Sequence, residues 1–156
     1  RMLRTPTYHV FDMYKVHQDA SLLRSECITE DYSCGAEKMA KVSMTASRNA
    51  EGEVHISLTN PDPHHAAEVE IELKGLGSAQ GTSSSFSGNE VSDQASERTQ
   101  ISDISGTELT ASRMDAHNTF NEPNQVVPTA FTNFRIHDGT VYARLSPMSV
   151  TTLKVK

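Results

Sequence analysis

Glu68, Glu70 and Glu72 place three carboxylates at alternate positions. On a strand this spacing puts them on one face, with neighbours about 7 Å apart. A general acid and base acting across a scissile bond need a similar separation, together with surroundings that drive their two pKa values apart. Here Ala67, Val69, Ile71 and Leu73 turn to the opposite face, and no apolar pocket surrounds the acids. The three glutamates therefore read as a solvated strand face.

The histidines raise a second possibility. His64-His65, with His55, His117 and His137, are numerous enough to suggest a metal site. No pair has the helical spacing or the cysteine partners of a zinc signature. Adjacent histidines on a strand also point to opposite faces. Loop or surface histidines are the simpler reading, and neither metal nor cofactor is expected. Cys27 and Cys34, the only cysteines, could close a small loop or remain free thiols. Free thiols are favoured because nothing else marks a secreted disulfide scaffold. There is no nucleophile-elbow motif and no glycine-rich phosphate loop. The residues alone nominate no catalytic, substrate-binding or metal site.

The elements that would position such groups are mostly strands. One helix comes first. Thr5 suits the cap, Pro6 the first helical position, and no breaker follows from Tyr8 to His17. Val10, Phe11, Met13 and Tyr14 give it apolar neighbours three and four apart. Ala40, Val42, Met44 and Ala46 then alternate with polar residues, as do Val54, Ile56 and Leu58. With the turn Asn49-Ala50-Glu51-Gly52 between them, these runs predict an antiparallel hairpin whose His55, Ser57 and Thr59 face water. Asn60-Pro61-Asp62-Pro63 stops that strand, and Ala67 to Leu73 forms the next. Gly75 to Thr99 reads as a long irregular stretch anchored by Leu76, Phe86 and Val91. Order returns around Ile101, Ile104 and Leu109. Phe134 and Ile136 lead into His137-Asp138-Gly139-Thr140, a tight-turn signal, and Val141, Ala143 and Leu145 return. After Ser146-Pro147, Val150 to Val155 makes the last strand. Many short strands separated by turns predict an all-β, two-sheet antiparallel sandwich behind one N-terminal helix.

At 156 residues the chain holds one ordinary domain. Only 6% of it is aromatic, with no Trp, so an aliphatic core is expected. A net charge of −6 without a basic cluster argues against nucleic acid. No apolar run reaches membrane-span length, no signal-peptide pattern opens the chain, and the compartment stays unread. The start without Met, in mid-pattern, reads as a piece of a longer protein.

Several segments together resemble the C-terminal part of family 51 glycoside hydrolases, the α-L-arabinofuranosidases. These are Thr5 to Ala20 (TPTYHVFDMYKVHQDA), Gly52 to Asn60 (GEVHISLTN), Ala116 to Asn124 (AHNTFNEPN) with Val126 and Pro128, and Leu145 to Val150 (LSPMSV). They occur in the family's order and span nearly the whole chain.

The resemblance implies a (β/α)8 barrel followed by a jelly-roll-like sandwich. Residues 1–20 would be the last barrel helix and residues 21–156 the sandwich. It also implies retaining hydrolysis of terminal α-L-arabinofuranosyl residues in hemicellulose and pectin, by two glutamates at the ends of barrel strands. No segment here matches those that carry either glutamate, so no catalytic residue is assigned. Met2 to Thr5 would lie nearest the substrate pocket, and Arg4 there has no motif that fixes a role. The segment His117 to Asn124 reads as a tight crossover whose Asn side chains satisfy local amides, in preference to a sugar-contacting loop. Phe11 and Tyr14 read as a seam between helix, barrel and sandwich. The expected partners are the chain's own catalytic barrel, a homo-oligomer in the parent, and arabinose-containing glycans through the parent, with no nucleic acid and no membrane. The alternative is a free-standing carbohydrate-binding sandwich, which the shortage of flat rings disfavours.

Overall fold

The computed structural model describes residues 2–75, 101 and 103–156. The expected irregular stretch, including Leu76, Phe86 and Val91, lies outside them but for Gly75. Helix α1 spans Pro6–Tyr14 and continues as a single 3-10 turn, Lys15–His17. Thr5 is extended, and its hydroxyl accepts the Tyr8 N–H at 3.2 Å, satisfying one of the helix's free amides.

Eleven strands follow among the described residues: β1 (Ser21–Leu22), β2 (Asp31–Cys34), β3 (Glu37–Ala40), β4 (Ser43–Arg48), β5 (Val54–Asn60), β6 (Ala67–Glu72), β7 (Ile104–Leu109), β8 (Thr129–Ala130), β9 (Phe134–His137), β10 (Thr140–Leu145) and β11 (Ser149–Val155). They build a six-stranded sheet in the order β1-β4-β5-β11-β7-β8 and a three-stranded sheet in the order β6-β10-β9. Every pairing is antiparallel. β2 and β3 form a separate hairpin whose residues are almost all exposed.

The predicted sandwich is present, and period-two alternation explains it. Ala46, Val54, Ile56, Leu58, Leu153 and Val155 of the larger sheet meet Ala67, Ile71, Val141, Ala143 and Leu145 of the smaller one in a single aliphatic core. Phe131 and Phe134 stack at its edge with ring centroids 5.9 Å apart. At the β9–β10 hairpin, Asp138 and Gly139 adopt φ of 50° and 73°. Two successive left-handed residues match the twist of the flanking strands, as an Asp-Gly turn should.

Two expectations about the β4–β5 hairpin fail. Ala40 belongs to the exposed β3 and not to β4. The second face is also not wet, because His55 is 6% exposed and Ser57 is fully buried. The 3-10 turn after α1 lies across it. His17 places Nδ1 at 2.7 Å from Ser47 Oγ and Nε2 at 2.8 Å from Ser57 Oγ. Beside it, Met13 packs with Leu109 and Val126 in a small second core, flanked by Val10, Ala111, Ala116 and Val150. A polar strand face can be buried when hydroxyls and an imidazole satisfy one another.

Candidate functional site

The N-terminal segment, α1 and the loop before β8 enclose a recess of about 570 Å³. Met2, Leu3 and Arg4 form one wall, His9 and Asp12 the helical wall, and Pro123, Asn124, Val127 and Pro128 the third. Asn118 holds the walls together. It is 4% exposed, and its Nδ2 donates to the carbonyls of both Arg4 and Val126 at 2.8 Å. Its Oδ1 accepts the Val126 N–H at 2.7 Å. One amide thus ties the chain's start to a loop more than a hundred residues away. Next to it, Thr119 closes a turn on Glu122, its hydroxyl accepting the Glu122 N–H at 3.0 Å. The segment His117 to Asn124 is therefore the local crossover that its Asn-rich composition predicted.

The groups in the recess do not make an acid/base pair. Asp12 is bonded to Lys15, which holds its carboxyl below the usual carboxylate value through the hydrogen bond and the adjacent charge. A carboxylate fixed in its ionised form is a poor general acid. The Arg4 guanidinium lies 5.4 Å above the Tyr8 ring. His9 is 6% exposed, and its Nε2 has no hydrogen-bond partner. The recess thus combines a carboxylate held in its ionised form with a buried, unpartnered imidazole nitrogen on one helix.

The other nominated residues stay apart. Glu68 pairs with Arg144 at 3.0 Å, Glu72 with Lys74 at 2.7 Å, and Glu70 stands opposite Tyr142, all on an exposed face. The Tyr142 ring in turn carries the Arg135 guanidinium at 5.2 Å, so it offers no bare platform for a sugar. His64, His65, His117 and His137 are exposed as expected, whereas His55 is buried. His65 Nδ1 sits 3.0 Å from the buried Asp62 carboxylate, which also accepts the His64 and His65 amides. Those amides pull its pKa below the usual range. No group of three or more His, Cys, Asp or Glu among the described residues could hold a metal ion. Cys27 and Cys34 are free and exposed. Phe11 is 73% exposed and does not face the sandwich, while Tyr14 is half-buried beside His17. The residues missed in the sequence are His9 and His17. His9 lies one turn before Met13 on the same helix face, which is the signal that was available.

A leading helix packed on a two-sheet antiparallel sandwich defines a β-sandwich domain of the C-terminal type. The chain belongs to the α-L-arabinofuranosidase C-terminal domain family, which matches residues 1–149. It is 35% identical to an intracellular exo-α-L-arabinofuranosidase of Bacteroides ovatus, over 99% of this chain and 26% of that protein. The crystal structure of the family 51 arabinofuranosidase from Xanthomonas axonopodis pv. citri superposes with a TM-score of 0.80 at 30% identity, covering 97% of this chain and 26% of that one. A thermostable family 51 enzyme from Thermotoga petrophila shares the fold, with a TM-score of 0.69 at 19% identity over 97% of this chain and 29% of that one. The chain therefore spans about a quarter of the length of these relatives. The resemblance seen in the sequence is borne out.

Proposed function

We propose that this chain serves as the C-terminal accessory sandwich of a retaining α-L-arabinofuranosidase and braces its catalytic barrel. In this reading residues 1–20 supply the last barrel helix and residues 21–156 the sandwich. The parent removes terminal α-L-arabinofuranosyl residues from hemicellulose and pectin fragments with glutamates carried elsewhere in its chain. Its glycan contacts are made mainly by the barrel, with Met2 to Thr5 as the nearest part of this chain. Its assembly into homo-oligomers belongs to the same proposal.

The observation that carries it is the two-sided helix. His9 and Met13 of α1 are buried, Met13 packing with Leu109 and Val126, while Phe11 and Tyr8 on another side are 73% and 41% exposed. A helix with apolar residues on both sides is built to sit between two bodies. The recess with its unpartnered His9 Nε2 opens along the same helix. Substituting Phe11→Gln should cost the full-length enzyme about 2 kcal/mol, the worth of burying one aromatic side chain. The same change in the 156-residue chain should leave its urea midpoint unmoved, because Phe11 is already in water there. Equal effects in both proteins would overturn the brace.

A further inference from the structure

His17 is tied to three strands of the larger sheet. Its ring bonds Ser47 on β4 and Ser57 on β5, and Ser57 Oγ lies 3.0 Å from Thr152 Oγ1 on β11. Ser47 stands opposite His55 in the β4–β5 register, so a second imidazole occupies the same patch. His55 is 6% exposed, and its Nδ1 has no partner. Adding a proton there would create a buried cationic donor with nothing to bond, a costly state.

We propose that His17 and His55 form an acid-released latch, which holds α1 and its 3-10 turn on the sheet only while both rings are neutral. The groups around them favour neutrality on balance. From α1 the Tyr14 ring packs 5.6 Å from the His17 ring, and Lys15 turns away to Asp12. β4 contributes the Ser47 hydroxyl. On β11, Lys154 opposes a charge on His55. Glu53, just before β5, favours that charge, but it is already engaged by Lys154 at 2.7 Å and Lys156 at 3.3 Å. No carboxylate bonds either ring among the described residues. Burial pushes His17 below the ordinary histidine value, with repulsion from His55 adding to it, and burial likewise lowers His55.

The direction of the pH effect follows. Folded-state values below the unfolded one, about 6.5, mean the latch is fully closed above that pH and weakens as pH falls through the folded values. Acidification should therefore free the helix before it unfolds the core.

Amide exchange read by mass spectrometry on the 156-residue chain tests this, after correction for the intrinsic pH dependence of exchange. Between about pH 7.5 and about pH 5, opening of residues 6–17 should rise at least about threefold relative to residues 149–155. His17→Gln keeps a hydrogen-bonding side chain without a titrating proton, and it should blunt that rise. An NMR titration of the two imidazoles in the unmodified chain should place both below the ordinary value, and it decides the matter if the variant does not fold. Opening that ignores pH, an undiminished rise in His17→Gln, or rings titrating at or above the ordinary value would overturn the latch.

Discussion

Leu153→Ala should remove about 4 kcal/mol of stability, near the top of the range for a core leucine. Leu153 is fully buried on β11, the strand held between β5 and β7 in the larger sheet. Its register partners are Ile56 and Gly106. A Cβ placed on Gly106 would meet Leu153 Cδ2 and two Phe131 carbons, each at 3.0 Å. The leucine thus fills the space that the glycine leaves open. Truncating it leaves a void beside a residue with no side chain to relax into it, and the cost grows with the volume left empty. Urea unfolding should show a lower midpoint with an unchanged slope. Leu22→Ala, at a side chain 80% exposed, is the control and should stay within about 0.5 kcal/mol of the parent sequence. Equal shifts in the two variants would mean that the interface between the sheets is not the core.

Asn118→Ala should cost about 3 kcal/mol, because it strands three backbone groups together. The Val126 N–H loses its acceptor, and the Arg4 and Val126 carbonyls lose their donor. Asn118→Asp should be at least as harmful. It keeps an acceptor for Val126 N–H but turns a carboxylate toward two carbonyl oxygens. Both variants should also speed exchange at the Val126 amide and loosen Met2 to Arg4, while β5 and β11 keep their protection. A destabilisation spread evenly over the sandwich would contradict the local clamp.

Much of this architecture was legible in the residues. The Thr5-Pro6 cap, the alternation through β4, β5, β6, β10 and β11, and the Asp138-Gly139 turn are local codes, and each formed, with β4 starting at Ser43 and not at Ala40. Local codes are silent on what covers a face. His55, Ser57 and Thr59 on β5 have the pattern of a wet surface, yet His55 and Ser57 are buried, and the turn that bonds Ser57 comes from residues 15–17, forty positions earlier. Four strands went unread. β1 and β8 are two residues long and so carry no period, and the β2–β3 hairpin buries almost nothing and so has no apolar alternation to show. The recess was half visible. Composition marked His117 to Asn124 as a structured crossover, and Arg4 was singled out, but their meeting through Asn118 is a long-range contact that no spacing rule encodes.

The carboxylates that opened the reading illustrate the opposite case. Glu68, Glu70 and Glu72 do share a face, as their spacing required, and Arg144 and Lys74 meet two of them in open solvent. Geometry suited to chemistry is not enough without surroundings that separate two pKa values.

Hydrolysis of an aryl α-L-arabinofuranoside by the purified 156-residue chain bears most directly on its role as an accessory domain. No release of the aryl group above the buffer rate is expected, because the described residues include no pair of carboxylates in a water-poor site. Sustained turnover that follows the chain through purification would contradict that role.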